Sequence, residues 1–124
     1  MDARLRQWVR ERAGGHCEYC GLPEEREPLP FHVEHVVARQ HGGKDAEANL
    51  ALACHHCNLQ KGPNLSGLDP QTGELTRLFH PRLDDWNEHF TRRGGEIIGS
   101  SPVGRTTVAL LRMNEAGRLQ LRDG

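Results

Sequence analysis

HVEHVVARQHGGKDAEANLALACHHCNLQKG, residues 32–62, is the stretch from which the fold is read. It lies across two short β-prone runs, 31–38 (FHVEHVVA) and 50–54 (LALAC). Phe31, Val33 and Val36 are the apolar anchors of the first strand. The intervening residues 40–49 are polar and form a loop, with a turn at Gly42-Gly43. A helix is expected from Cys57 to about Lys61, where Gly62-Pro63 ends or bends it. The order is therefore strand, loop, strand, helix.

Working outward, Cys54-x-x-Cys57 at the end of this stretch is matched by Cys17-x-x-Cys20 at the N-terminal side, with 33 residues between the pairs. Two-residue spacers let both sulfurs of a knuckle face one point, and four thiolates can surround a tetrahedral zinc at about 2.3 Å each. No cysteine is left over. Buried free thiols or two redox pairs are the alternatives. A closed four-sulfur site has no open position, so its expected role is structural. It pins the N-terminal knuckle to the segment after the second strand.

The same stretch resembles the HNH endonuclease family. The family pattern is an acidic residue and His on a strand, a Gly-Gly loop, Asn-Leu opening a second strand, and Cys-x-x-Cys-Asn-x-x-Lys at a helix start. Here these are Glu34-His35, Gly42-Gly43, Asn49-Leu50 and Cys54-x-x-Cys57-Asn58-x-x-Lys61. The spacings of 14 residues from His35 to Asn49 and 9 from Asn49 to Asn58 also fit. The resemblance is tight over about a quarter of the chain and reaches about half with Cys17 and Cys20. The segments LFHPRLDDWNEHF and GRTTVALLRMN match small prokaryotic members more loosely.

The resemblance implies an α+β fold: a ββα-metal (His-Me finger) core at about residues 15–63 with a structural four-cysteine zinc site and flanking helices. Residues 64–124 would pack on it as an extension, the whole forming a single nuclease domain. The implied activity is metal-dependent hydrolysis of phosphodiester bonds in DNA, most naturally double-stranded. The chemistry explains the residue types. Attacking water must lose a proton, and a neutral His can take it near pH 7. A divalent cation stabilises charge on the phosphate and the departing oxygen. By resemblance, His35 is the general base, and Glu34 and Asn58 hold the catalytic ion. Asn49 braces the loop and orients His35 through a backbone contact. Glu34 and His35 are neighbours, so a regular strand would point them to opposite faces. The family meets this with a distorted strand end, which is expected here too. Asn58 stands where the family more often has His, and Glu34 where Asp or His is commoner. An all-oxygen pair favours magnesium or manganese over nickel or zinc.

Beyond the motif, residues 3–13 (ARLRQWVRERA) read as a helix stopped by Gly14-Gly15. Residues 62–76 read as loop. A helix is expected over 82–92 with Leu83, Trp86 and Phe90 on one face, then a short strand at 96–98. A last helix is expected over 102–114, with Ser101 as N-cap and Pro102 at its first position. With 35% hydrophobic residues and 5% aromatics in 124 residues, the core is thin, which favours a metal staple. The net charge of −1 gives no general nucleic-acid signal, yet 14 of the 16 basic residues are Arg, the side chain that grips phosphate with a planar fork. Arg4, Arg6, Arg10 and Arg12 crowd the N-terminus, where charge alone indicates a solvated helix face. There is no signal-peptide pattern or membrane-length apolar run, so a soluble, cytoplasmic protein is expected.

The remaining polar residues have plainer readings. His55 and His56 are expected at the knuckle surface, and His32 and His41 beside the site. Lys61 is a candidate phosphate contact, and Trp86 and Phe90 belong to the core. Arg105 fits either an ion pair or a DNA contact. Two rival functions stay open at this stage. A non-catalytic zinc-stapled DNA-binding module explains the cysteines without needing Glu34, His35 and Asn58. A redox or metal-handling protein would need reactive thiols.

Overall fold

The computed structural model describes residues 1–123. Helix α1 spans Ala3–Ala13. The Asp2 side chain accepts a hydrogen bond from the Leu5 amide at 2.8 Å, and Gly14 closes the helix at φ 65°. Such an N-cap contributes about 1 kcal/mol. Of its residues only Val9 is fully buried. Trp8 stays at the surface under the Arg12 guanidinium, 4.6 Å from the ring centre.

Strands β1 (His32–His35) and β2 (Leu50–Ala53) form an antiparallel pair, with His32 opposite Ala53 and His35 opposite Leu50. Helix α2 (His55–Lys61) follows at once and packs on both strands. This ββα unit is the one expected, with trimmed ends. β1 stops at His35, before Val36-Val37-Ala38, because the chain must turn there into the Gly-Gly loop. α2 begins two residues early, since the Cys54 sulfur caps it by accepting from the Cys57 amide. All four β2 residues are buried, and with Tyr19, Leu22 and Phe31 they form the centre of the core.

The second half departs further from expectation. The expected loop at 62–76 contains a hairpin, β3 (Ser66–Leu68) with β4 (Leu75–Arg77). The expected helix at 82–92 shrinks to α3 (Trp86–His89), and Phe90 starts strand β5 (Phe90–Arg93) instead. β5 pairs with β6 (Glu96–Gly99), which covers the expected strand. Leu83 is largely exposed, so it is no part of a buried face, whereas Trp86 stacks on the buried Phe90 ring at 5.0 Å. Helix α4 (Pro102–Leu110) has the expected Ser101 cap but ends four residues short of Asn114. Asn114 is used otherwise: its side chain bonds both the amide and the carbonyl of Ile97 on β6.

A final helix, α5 (Arg118–Asp123), was not expected. Tertiary bonds hold it rather than propensity. Buried Arg122 donates to the carbonyls of Gly95 and Met113, and Arg26 donates to the Arg122 carbonyl. No described helix is long and apolar enough to cross a membrane.

Candidate active site and metal cluster

The four cysteines come together. Their sulfurs all lie within 4.8 Å of one another, and Cys20 Sγ is 3.9 Å from Cys54 Sγ. A tetrahedron with metal–sulfur bonds of about 2.3 Å has edges of about 3.8 Å, so the cluster fits zinc. Each knuckle turns an amide onto its own sulfur, Cys20 N to Cys17 at 3.5 Å and Cys57 N to Cys54 at 3.4 Å. Arg118 adds a donor to Cys54 at 3.4 Å. Burial above all holds the Cys17 thiol well above its usual range, while the bond from Cys17 pulls the Cys20 thiol well below. Four thiolates this close need a cation between them. The cluster joins residues before β1 to the β2–α2 junction, which is the staple expected.

Beside it, Glu34, His35 and Asn58 border one open cleft of about 460 Å³. β1 supplies the first two and α2 the third. The strand register stays regular through His35, and the chain bends at Val36-Val37 directly after it. Glu34 turns inward, accepting from the Tyr19 hydroxyl and lying 3.6 Å from the Lys61 ammonium. Burial raises its pKa above the usual carboxylate value, and the Lys61 charge opposes that rise. His35 turns the other way, to Asp45. Both side chains still border the cleft because the strand ends there.

Lys61 requires a correction. Its side chain is only 2% exposed, and Nζ donates to the Val36 carbonyl at 2.8 Å. The expected phosphate contact is therefore overturned: the ammonium faces inward and neutralises Glu34. Breaking such a buried pair from one side typically costs about 3–5 kcal/mol.

Asn49 bonds across the loop. Its side-chain oxygen accepts from the Val37 amide at 2.9 Å, and its nitrogen donates to the carbonyls of Val37 and Lys44, both at 3.0 Å. Its backbone carbonyl also takes the Val36 amide, one residue past His35. Gly43 completes the closure. A β-carbon there would stand 1.7 Å from the Val37 carbonyl oxygen, so no other residue fits without moving the loop.

The loop so closed presents Asp45, which the sequence reading did not single out. Asp45 Oδ1 is 2.6 Å from His35 Nε2, and the Arg39 guanidinium contacts both carboxylate oxygens at 2.8 and 2.9 Å. The His35 bond first, and Arg39 second, hold this carboxylate well below its usual range. A charged carboxylate only accepts, so the proton between them belongs to Nε2, which in a neutral imidazole leaves the lone pair on Nδ1.

His32, His55 and His56, near the site, are occupied. His32 Nε2 lies 3.1 Å from His55 Nδ1, and His56 Nε2 lies 2.9 Å from the Arg112 carbonyl. His41 is exposed. Arg105 is an ion-pair residue, donating to both oxygens of buried Asp69 at 3.1 and 2.8 Å.

With this geometry in view, residues 17–64 match the model of the HNH endonuclease family. The match contains the four cysteines and Glu34, His35, Asn49 and Asn58. Over that span the family resemblance holds, and the α+β fold is that of a ββα-metal domain with a four-cysteine site. The chain is also similar to the Septu protein PtuB of Bacillus thuringiensis, 27% identical over 116 residues that cover 88% of this chain. It spans 40% of that relative's length. No solved structure matches it.

Proposed function

We propose that the protein is an HNH nuclease that hydrolyses phosphodiester bonds in DNA with the help of a divalent cation. The observation that carries this reading is the shared cleft of Glu34, His35 and Asn58, with His35 held through Nε2 by Asp45. A binding module has no use for a histidine so oriented.

In this reading, the Nδ1 lone pair of His35 takes a proton from water. The water oxygen bonds to phosphorus, the bond to the leaving oxygen breaks, and that oxygen is protonated from solvent. Asp45 fixes the imidazole's tautomer and orientation and balances its positive charge. Asn49 and Gly43 hold the loop that carries Asp45. Glu34 and Asn58 supply an oxygen donor set suited to magnesium or manganese, and the bound ion would neutralise charge on the phosphate and the leaving oxygen. Zinc in the cysteine cluster is structural and takes no part in the chemistry.

Plasmid nicking tests this. Cleavage should stop with EDTA at a dose that leaves the cysteine-bound zinc in place, and magnesium or manganese should restore it. Full activity with zinc alone would overturn the assignment of Glu34 and Asn58. Asn58→Ala should weaken metal affinity with the fold intact. It is the cleaner ligand to remove, because losing Glu34 would strand buried Lys61.

Asp45→Ala should slow single-turnover cleavage by about 10–100-fold, the usual effect of losing a carboxylate that orients a histidine. DNA affinity should hold. The ¹⁵N signals of His35 should show Nε2–H in the wild type and a tautomer mixture in the variant. An unchanged tautomer with unchanged rate would remove Asp45 from the mechanism.

A further inference from the structure

The cleft does not end at His35. A second hollow, of about 240 Å³, lies between α1 and β1 and is bordered by Arg6, Arg10, Phe31, His32 and Val33. His32 and Val33 border both hollows, which therefore adjoin along β1 and offer one run of surface for an extended ligand. Its α1 end is basic. Arg10 is fixed there: its guanidinium donates to the Phe31 carbonyl at 3.1 Å and meets Glu24 at 3.3 Å. Arg6 differs. It is exposed and has no ion-pair partner among the described residues. Arg4 is likewise exposed on the same helix. At the other end, Arg39 borders the cleft with its side chain 64% exposed, although Asp45 holds one edge of it. The trough thus runs from unpaired arginine, past two imidazoles, to a third basic group.

Resting on the nuclease reading above, we propose that this trough is the track for one strand of the DNA substrate, with Arg6 on a backbone phosphate next to the scissile one. The chemistry points to a polyanion rather than a single small anion. The trough is open and elongated, and its cations are spread along it instead of converging on one point. Glu24, a carboxylate at its basic end, is already paired with Arg10, and Asp2 at the start of α1 caps the Leu5 amide. The cleft carboxylates Glu34 and Asp45 are likewise tied to Lys61 and Arg39. Arg6 is therefore left to ligand. With a net charge of only −1, the chain gains its local field here from placement. Phosphate contacts of this kind set register without reading sequence.

Binding of a fluorescent DNA duplex to the full chain, in calcium to prevent cutting, tests the track. Arg6→Glu should weaken binding roughly tenfold at low salt and flatten the slope of log affinity against log salt by about 1. Arg93→Glu, an exposed arginine on the β5–β6 hairpin outside the trough, should bind like the wild type. Equal loss from both substitutions would reduce the effect to net charge and overturn the proposal. So would displacement of DNA by polyglutamate at matched charge. The two readings fail separately. If Arg6→Glu alone loses binding while the wild type never cuts in magnesium, the track stands and catalysis falls. If the wild type cuts but Arg6→Glu binds normally, the track falls and catalysis stands.

Discussion

Replacing His35 with alanine should lower DNA hydrolysis by about 10²–10⁴-fold, the range of a general base. The fold should survive, because His35 is the last residue of β1 and its pairing with Leu50 is through backbone. The Asp45 carboxylate keeps Arg39 as partner, so no buried charge is stranded. Binding should survive as well, since the proposed phosphate contacts come from arginine rather than this imidazole. Plasmid nicking and gel shift in calcium, at matched zinc content, separate these effects. Equal cleavage by both proteins would sink the assignment. Loss of folding would give His35 a structural role, and the replacement candidates are few. His55 and His56 are already engaged, and His41 is exposed. His32 borders the cleft but spends Nε2 on His55.

The parts of this site that were legible in the sequence are those fixed by spacing. The two Cys-x-x-Cys pairs give the cluster and the β-prone runs before a helix start give the ββα unit, whereas Glu34, His35, Asn49 and Asn58 are picked out by resemblance to the family pattern. Asp45 was not legible for a different reason. Its meeting with His35 depends on how the 36–49 loop closes, and that closure rests on a Gly43–Val37 approach no pattern announces. Lys61 was misread because position on a helix face gives neighbours but not the sign of burial. Only the fold shows that Glu34 lies within reach of its ammonium. The hairpin β3–β4 escaped because its outer leucines, Leu68 and Leu75, are exposed and give no alternation. β5 escaped for a related reason: Phe90 is its one buried residue. α5 is too short to be stable alone, and its place is set by the long-range bonds of Arg122.

Cys54→Ser should give a poorly folded protein, although it changes one atom. Cys54 is at once a cluster member, the N-cap of α2 and the acceptor for Arg118, which also pairs with Glu27 at 3.1 Å. Its sulfur therefore ties the knuckle, α2 and α5 together. Structural zinc supplies ~10–16 kcal/mol of apparent folding free energy. A domain's whole net stability is about 5–15 kcal/mol. A chain with 5% aromatic residues has no reserve to cover such a loss. The consequence reaches the active site, because α2 carries Asn58 and Lys61, and Lys61 neutralises Glu34. Loss of the cluster should abolish cleavage even with magnesium in excess. Elemental analysis should find one zinc per wild-type chain, and circular dichroism should show a cooperative melt that disappears in the variant. Arg118→Ala, which removes no sulfur but leaves the buried Glu27 side chain without its cation, should keep its zinc and still melt cooperatively at a lower temperature. A zinc-free wild-type protein that melts cooperatively at the same temperature would show that the four thiols are merely buried neighbours. The fold would then rest on the small core around β2.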